Sequence, residues 1–424
     1  MKRRPAVPPS RRPSAPRVPK RSREELLAQR PLDVADPAAI PTIEVRAPTF
    51  HPYLFRKRLG QFPERAAPGD LVRLTLSDGH HFGWGLFNPH AEIAVRVLTN
   101  RPDPPDTPWW AEQLERAVTL RRELLRLDAA TDAYRILHAE GDGLSGLVVD
   151  RFGDVLVVEA FALGMYQRAE ALLDLLSPLC GTQHGVLRTS PLSEMHEGFA
   201  ADPTGSESLP NRITVTEFGT QFRIDFAGGH KTGFYCDQRD NRRRFAELCR
   251  GKSVLDVCAY TGGFAVQAKR LGEAAEVTGV ELDEASVAIA KENARLNRAK
   301  VQFVQADAFP YLRDMLRNGR TYDRLVLDPP KLIFSRDDIA EGKRKYFDLN
   351  RLALQLVAPG GVLLSCSCSG LLGGDELFRL IAAAASDVGR RIQVFARHGA
   401  APDHPVAGNC PESEYLKTVW LRVE

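Results

Sequence analysis

The spacing of apolar and polar residues changes several times along the chain, and these changes divide it into four segments. Residues 1–41 contain almost no large apolar residues and are predicted to form a disordered basic tail. In residues 42–100, short apolar runs alternate with turns rich in Pro, Gly, Asn and Asp, which is typical of a small β-barrel domain. These runs are Leu71–Leu76, His81–Phe87 and Ile93–Leu98.

Residues 101–210 combine a helix with a second small α/β unit. Thr107 and Pro108 suit the N-cap and the first position of a helix that runs to about Leu127. Further strands are predicted at 136–137, 147–149 and 155–161, followed by a helix over 167–176. The turn Gly141–Gly146 is rich enough in glycine to require positive φ angles. Its glycines favour a tight connection over a phosphate cradle.

From about Thr214 the pattern becomes regular strand–helix alternation, which predicts a mostly parallel sheet covered by helices on both faces. We place this last segment at residues 211–424. The fold class is therefore α/β, with a C-terminal Rossmann-like sheet preceded by a small barrel and a small central α/β domain.

Composition and charge restrict the partners. The 424 residues are 43% apolar and 26% charged, as in soluble globular proteins, and no apolar run is long enough to span a membrane. Residues 1–30 contain ten Lys/Arg and two Asp/Glu, a net of +8, so the remaining residues carry −5 of the total +3. The tail is expected to be a solvated segment; an RNA-binding arm and an Arg-rich transit peptide are the alternatives.

Seven cysteines show no CxxC pair and no zinc-type spacing, which predicts reduced thiols, a cytoplasmic location and no metal site. The histidines also lack ligand spacing. Basic residues Arg56, Lys57 and Arg58 follow aromatic ones in the barrel segment and are a candidate RNA-binding stripe, with a solvated helix start as the alternative.

Acidic residues follow or end successive strands of the C-terminal segment. Asp256 ends an apolar strand before the turn Tyr260–Phe264, and Glu281 ends the next strand. Asp307 and Asp328 follow the third and fourth strands. Since ligands gather at the carboxyl ends of parallel strands, this order predicts a site for S-adenosylmethionine in a class I methyltransferase domain. Asp256 would take the ammonium group, Glu281 the ribose hydroxyls and Asp307 the adenine amino group.

The stretch Gly360–Gly370 contains a buried strand that ends in small polar residues and carries Cys366 and Cys368. A thiol at a strand end is placed to act on a ligand. Two residues apart on a strand, the two thiols are expected on the same face. Cys366 is expected to be a small core residue, with a helper thiol or redox partner as the alternative.

Several longer motifs resemble the ribosomal RNA large-subunit methyltransferase I family, which methylates carbon 5 of cytosine. They are Tyr134–Gly153, Gly229–Arg242, Tyr260–Phe264, Asp328–Lys331, Ser367–Gly370, Asp403–Val406 and Tyr415–Lys417. The resemblance covers about residues 45–424. It implies a PUA domain at 42–100, a central domain and a Rossmann-like catalytic domain.

The resemblance also implies roles for individual residues. Cys368 would be the nucleophile, and Asp328 would line the cofactor site. The chemistry adds the hypothesis that Asp328 is the second catalytic residue and hydrogen-bonds the base edge near N3 and the amino group, with Pro329, Pro330 and Lys331 beside the base. The expected cofactor-binding residues are Lys231, Thr232, Gly233, Asp237, Gln238, Arg239, Asp256, Tyr260, Thr261, Gly262, Gly263, Phe264, Glu281, Leu282, Asp307 and Ala308.

The predicted reaction is covalent, because carbon 5 of cytosine is too weak a nucleophile until a thiolate adds to carbon 6. Lys331 occupies the place where many RNA cytosine-C5 methyltransferases have a second cysteine, so the base that takes the carbon-5 proton is unassigned. Lys331 is the first candidate. The expected partner is large-subunit ribosomal RNA, with no membrane; a homodimer is left open. Alternative functions are a ribosomal RNA guanine N-methyltransferase and a non-catalytic RNA-binding assembly factor.

Overall fold

A computed structural model describes residues 22–226 and 234–424 of the chain. Lys231, Thr232 and Gly233 lie outside the described residues, as do residues 1–21 of the tail. The described chain forms a barrel domain, a central domain and a C-terminal sheet domain.

Residues 22–41 are folded, although the sequence predicts disorder there. Helix α1, Arg23–Leu27, begins with a capping box in which Ser22 and Glu25 exchange side-chain to backbone hydrogen bonds. Leu32 and Ile40 are buried in the core of the central domain. A few apolar side chains on an otherwise polar segment are enough to dock it onto an existing core.

The barrel domain contains five strands in the order β1-β3-β4-β5-β2. Their bounds are β1 Thr42–Val45, β2 Tyr53–Phe55, β3 Leu71–Leu76, β4 His81–Phe87 and β5 Ile93–Thr99. The three predicted apolar runs are therefore strands, and β5 extends one residue beyond the prediction. Ile43, Leu54, Val72 and Val95 fill the interior.

The central domain begins with helix α2, Thr107–Thr119, which continues as a π-helical turn over Leu120–Leu124. Asp106 is the N-cap, one residue before the predicted Thr107, because its carboxylate accepts the Trp109 N–H at 3.0 Å. The remaining elements are β6 Ala133–His138, β7 Leu147–Phe152, β8 Val155–Ala160, α3 Leu163–Tyr166, α4 Ala169–Cys180, β9 His184–Thr189, α5 Ser193–Glu197 and β10 Thr204–Gly205. Positive φ angles of 76° at Gly143 and 85° at Gly146 fit the predicted tight turn.

The C-terminal domain opens with a hairpin and continues as a seven-stranded sheet. Its elements are β11 Arg212–Glu217, β12 Thr220–Asp225, α6 Arg239–Glu247, β13 Ser253–Val257, α7 Gly263–Arg270, β14 Glu276–Glu281, α8 Glu284–Leu296, β15 Gln302–Gln305, α9 Ala308–Arg317, β16 Tyr322–Leu327, α10 Ile339–Leu356, β17 Val357–Ser367, α11 Gly374–Asp387, β18 Ile392–His398 and β19 Lys417–Val423.

The order of this sheet is β15-β14-β13-β16-β17-β19-β18, with β19 antiparallel to both of its neighbours. The strand order reverses between β13 and β16. In open α/β sheets a ligand binds at this switch point, beyond the carboxyl ends of the strands. The fold thus places the site at the ends of β13, β14, β16 and β17.

Buried ion pairs connect the three domains. Arg96 of the barrel pairs with Glu197 of the central domain at 2.9 Å. Asp403, in the loop before β19, accepts both the Arg135 backbone N–H of the central domain and the Arg239 guanidinium of α6, each at 2.9 Å. These contacts hold the central domain against the catalytic sheet. Within the described ranges, no helix combines the length and apolar character needed to cross a membrane.

Candidate active site

Asp256 lies at the switch point with one carboxylate oxygen bonded and the other available. Its Oδ2 accepts the Ala265 backbone N–H of α7 at 2.9 Å. Its Oδ1 is buried and has no hydrogen-bond partner among the described residues. Desolvation raises the pKa of Asp256 to about 7. The charges of Asp328 and Glu281 add to this shift, and the Ala265 hydrogen bond opposes it. A buried acceptor of this kind suits a ligand ammonium group, so the site fits the predicted cofactor.

The turn after β13 has an unusual backbone that brings ligand and backbone close together. Cys258 and Tyr260 have φ angles of 63° and 48°, a region that non-glycine residues rarely occupy. Gly262 has a φ of 82°, and a Cβ there would lie 2.8 Å from the Phe303 ring. The backbone of this turn therefore packs directly against the Phe303 ring, which would hold it in place for a cofactor on its other side.

Other members of the predicted cofactor set shape the turn from within. Thr261 is buried, and its carbonyl accepts the Asn293 amide at 2.9 Å. Phe264 packs edge-on against Phe245 in the core. A Cβ on Gly263 would meet the Arg242 side chain at 2.9 Å. These residues support the cradle.

Glu281 ends β14 and holds the neighbouring backbone. Its carboxylate accepts the N–H groups of Tyr260 at 2.8 Å, Leu282 at 2.8 Å and Asp283 at 3.0 Å. Leu282 leaves an apolar side chain 62% exposed at this edge, where an adenine ring would have a surface to pack on. Asp307 is exposed and caps α9 by accepting the Phe309 N–H at 2.8 Å; Ala308 is the first residue of that helix.

Asp237 and Gln238 precede α6, Arg239 is its first residue, and the three side chains face different partners. Asp237 accepts the Tyr415 hydroxyl at 2.6 Å. Gln238 donates its amide to Asp328 at 3.0 Å and so joins this segment to the predicted catalytic carboxylate. Arg239 is 1% exposed and forms a bidentate pair with Asp403. Its guanidinium is committed to the domain contact, and we leave it out of the proposed cofactor site.

Asp328 lies directly after β16, partly exposed in the cleft. Desolvation and the charge of Asp237, opposed by the Gln238 hydrogen bond, raise its pKa to about 7. Pro329 is buried and Pro330 exposed, which fixes the turn beside it. The Lys331 ammonium lies 5.7 Å from the centre of the Phe334 ring, a side chain that is 68% exposed. A carboxyl group with this pKa is able both to donate and to accept a proton near neutral pH.

The two cysteines of β17 differ in environment. Cys366 is fully buried, and burial, reinforced by the Asp328 charge, raises the pKa of its thiol well above the usual value. The neighbouring Gln238 side chain acts in the opposite direction and favours ionisation of the thiol. Cys368 follows the last strand residue and is partly exposed. Position and access therefore favour Cys368 as the reactive thiol.

Hydroxyl groups beneath Cys368 hold its loop in place. Ser367 donates to the Tyr346 hydroxyl at 2.9 Å, and Tyr346 shares a 3.0 Å bond with Ser369. The Ser369 Oγ also accepts the backbone N–H groups of Leu332 and Ile333, each at 3.3 Å. The loop that carries Cys368 is thus tied to the loop that carries Asp328.

Lys417 also belongs to this site, although the sequence gives it no role beyond the family motif. It is the first residue of β19, lies opposite Ser367 and is 8% exposed. Its Nζ donates to the carbonyl oxygens of Ser369 at 2.6 Å and Tyr415 at 2.8 Å. The signal in the sequence is a charged residue at the start of an apolar strand. Its burial becomes visible only when β19 pairs with β17.

The basic stripe of the barrel forms a 3₁₀ turn, Arg56–Arg58. Arg56 and Lys57 are exposed, and Arg58 donates to the Ala47 carbonyl at 3.1 Å. The turn presents cations at the surface, as the predicted RNA-binding role requires, and that role stays a prediction.

His51, Cys410 and Glu412 meet where the barrel touches the loop before β19. The His51 Nδ1 accepts the Tyr53 backbone N–H at 3.0 Å, so the ring proton lies on Nε2, 3.2 Å from Glu412. Burial raises the pKa of Cys410 to about 11. A protonated Nε2 and a protonated thiol make this a hydrogen-bonded domain contact, and we assign no metal to it.

Two family models match the chain. An S-adenosylmethionine-dependent methyltransferase model matches residues 198–409, and a PUA-like domain model matches residues 43–100. Among solved structures, a putative S-adenosylmethionine-dependent methyltransferase from Streptococcus mutans has a TM-score of 0.76 at 18% identity, covering 90% of this chain and 100% of its own. A putative methyltransferase complexed with SAH has a TM-score of 0.74, also at 18% identity, covering 90% of this chain and 99% of its own. These two structures confirm the fold.

Curated relatives are similar over most of their length. Ribosomal RNA large subunit methyltransferase I of Cronobacter sakazakii is 35% identical over 373 residues, 87% of this chain and 94% of the relative. The protein of the same name from Aliivibrio fischeri is 34% identical over 380 residues, 88% of this chain and 95% of the relative. The chain therefore belongs to the ribosomal RNA large subunit methyltransferase I family, with a PUA-like domain ahead of an S-adenosylmethionine-dependent methyltransferase domain.

Proposed function

We propose that this protein methylates carbon 5 of a cytosine in large-subunit ribosomal RNA through a covalent bond between Cys368 and carbon 6. The observation that carries the proposal is the position of Cys368. It is a partly exposed thiol at the end of β17, in a loop hydrogen-bonded to the loop of Asp328. The names of the curated relatives support ribosomal RNA as the substrate.

S-adenosylmethionine would supply the methyl group at the switch point. Asp256 would accept its ammonium group through the buried Oδ1, and Glu281 would take the ribose hydroxyls. Tyr260, Gly262 and Leu282 would enclose the rest of the cofactor, with Thr261, Gly263 and Phe264 holding the turn.

In the proposed reaction the Cys368 thiolate forms an S–C6 bond, and the electron pair of the C5=C6 double bond moves into the ring. Asp328, whose pKa is raised to about 7, would donate a hydrogen bond to N3 and favour that addition. Carbon 5 would then use that electron pair to take the methyl group, and the methyl–sulfur bond would break to leave S-adenosylhomocysteine. Loss of the carbon-5 proton to a base restores the double bond and breaks the S–C6 bond, which returns the thiolate.

Substrate binding would use both ends of the molecule. The cytosine must leave its stack to reach the thiol, so single-stranded or flipped RNA is the expected substrate. Pro329 and Pro330 would border the base, and Arg56–Arg58 would contact phosphates. Lys331 stays our first candidate for the base that takes the carbon-5 proton. Homodimer formation and a cytoplasmic location stay predictions.

The first test compares methyl transfer by the wild type and Cys368→Ala, using labelled cofactor, ribosomal RNA and identification of the modified nucleoside. We expect 5-methylcytosine from the wild type and a loss of about a thousandfold or more in Cys368→Ala. A methylguanine product would favour a guanine N-methyltransferase, and no transfer by the wild type would favour an assembly factor.

The second test traps the covalent bond. RNA containing 5-fluorocytosine carries fluorine in place of the carbon-5 proton, so the S–C6 bond cannot break after methylation. The wild type should therefore form a stable protein–RNA adduct that Cys368→Ala does not form. Cys366→Ala is the matched control, because its thiol is buried two residues away, and this variant should still form the adduct. An adduct that survives in Cys368→Ala but is lost in Cys366→Ala would reverse the assignment.

A further inference from the structure

Lys417 places a buried cation beside the loop of the proposed nucleophile. Its Nζ donates to the carbonyl of Ser369, the residue directly after Cys368, and to the carbonyl of Tyr415. Both of these acceptors are uncharged carbonyl oxygens. Burial of a cation without a counter-charge is costly, so a charged partner is expected close by.

The charges around Lys417 identify that partner. Burial lowers the pKa of Lys417 to about 8. The negative charges of a Cys368 thiolate and of Glu414 act in the opposite direction and raise this pKa, the thiolate more strongly. At pH 7 the ammonium is therefore charged in the folded protein. A cation near a thiol favours the thiolate, and this one is hydrogen-bonded to the residue next to Cys368.

The other titratable groups near Cys368 either disfavour a negative charge on its thiol or already form an ion pair. Tyr235 before α6, Tyr346 on α10 and Cys366 on β17 each interact with its charge, and each is made harder to ionise by it. Asp328 and Asp237 add negative charge to the same pocket. Arg242 lies near these acids but forms a bidentate pair with Glu217.

We propose that Lys417 is the counter-ion of the Cys368 thiolate, held by two backbone carbonyls so that its charge faces the nucleophile. Lys417 is a positioning residue in this scheme, because it acts through Cys368 and touches neither the cytosine nor the cofactor. The inference rests on the proposed function, since it concerns the same thiol, but it predicts a property of that thiol which needs no RNA and no cofactor.

The test measures the rate at which iodoacetamide alkylates Cys368, from pH 5 to pH 10, by mass spectrometry of the peptide that contains it. We expect a titration midpoint below that of the same cysteine in urea-unfolded protein. In Lys417→Met the midpoint should rise by about one unit, with alkylation at pH 7 roughly tenfold slower. Lys417→Arg keeps the charge and should retain most of the lowered midpoint.

Lys345→Met is the matched control, because its ammonium pairs with Glu341 on α10 at 2.7 Å, outside the proposed site, and its loss should leave the midpoint in place. A purely structural Lys417 would change the accessibility of the thiol at every pH without moving the midpoint, and that result would overturn the proposal. If Lys417→Met does not fold, the wild-type protein alone still tests the proposal. An alkylation midpoint in the folded protein equal to or above the midpoint in the urea-unfolded protein would contradict a counter-ion for Cys368. The adduct experiment tests the nucleophile separately, so the two failures are distinguishable.

Discussion

The two halves of the active site are held in different ways. On the side of β13, β14 and β15, each acid is fixed by backbone N–H groups of its own or an adjoining turn: Asp256 by Ala265, Glu281 by Tyr260 and Asp307 by Phe309. On the side of β16, β17 and β19, the contacts come from distant side chains. Gln238 reaches Asp328 across 90 positions of sequence, and Lys417 reaches Ser369 across 48.

The difference separates binding from chemistry. Backbone amides hold a carboxylate in a fixed place at little cost in conformational entropy, which suits a cradle for a cofactor of constant shape. Side-chain contacts set the pKa and the orientation of single groups, which suits a nucleophile and its acid. Substitutions on the first side should change cofactor affinity, and substitutions on the second should change the rate of methyl transfer.

The largest expected effect comes from Asp328→Asn. An amide cannot exchange a proton with cytosine N3, so methyl transfer should fall about 10²- to 10⁴-fold, the usual contribution of a general acid. Binding of S-adenosylmethionine, measured by calorimetry, should change less than about twofold, because Asp328 touches Gln238 and the base side of the cleft.

Asp256→Asn is the counterpart and should weaken cofactor binding more than it slows transfer at saturating cofactor. If Asp328→Asn loses cofactor affinity as severely as rate, the division of the site into a binding half and a chemical half is wrong.

The next effect concerns the hydroxyl groups that hold the loop of Cys368, the proposed nucleophile. Ser369→Ala removes the acceptor for the Leu332 and Ile333 N–H groups and a partner of Tyr346. Leaving buried groups unsatisfied costs about 1–3 kcal/mol each, so urea unfolding of the catalytic domain should shift to lower concentration. Methyl transfer should fall while cofactor affinity is retained.

Ser365→Ala is a matched control on β17, the strand that leads into the loop of Ser369. The Ser365 hydroxyl is equally buried, but it has no hydrogen-bond partner within the part of the chain that the structure describes. Its removal should change the free energy of unfolding by less than about 0.5 kcal/mol or stabilise the protein. Equal losses in the two serine variants would show that volume, and not the hydrogen bonds, decides the effect.

The same division explains what the sequence could predict. Asp256 and Glu281 lie in the last two residues of β13 and β14, and Asp307 follows β15 by two residues, so strand ends and turns are enough to place Asp256 and Glu281 at one edge. Lys417 was missed because its importance depends on β19 pairing antiparallel with β17, a contact that local periodicity does not encode. Arg239 was assigned to the cofactor because its motif borders the site, whereas its partner, Asp403, lies 164 residues away.

The N-terminal segment shows the same limit. Residues 22–41 look disordered by composition, yet Leu32 and Ile40 are buried in a core built from later parts of the chain. The Asp33 carboxylate also accepts the Thr107 N–H at 2.7 Å, just where α2 begins. The composition of a segment indicates whether that segment can form a core by itself. It does not indicate whether the segment can pack against a core formed by other parts of the chain.

The smallest expected effect tests the cofactor side through pH. The pKa of Asp256 is raised to about 7 in the folded protein, chiefly by desolvation, so below that pH the carboxyl is protonated and must lose its proton to pair with an ammonium. Affinity for S-adenosylmethionine should therefore rise by about tenfold from pH 6 to pH 8, the change expected for release of one proton with this pKa.

Calorimetry in buffers of different ionisation enthalpy would count the released proton directly. Asp256→Asn should bind more weakly and lose this part of the pH dependence, whereas Asp307→Asn, at an exposed helix cap on the same edge, should keep it. A pH dependence that persists unchanged in Asp256→Asn would move the titrating group elsewhere, and Asp328, which shares a pKa of about 7, would then be the residue to substitute next. In that case the binding half and the chemical half of the site would be electrostatically coupled through the carboxyl groups of Asp256 and Asp328.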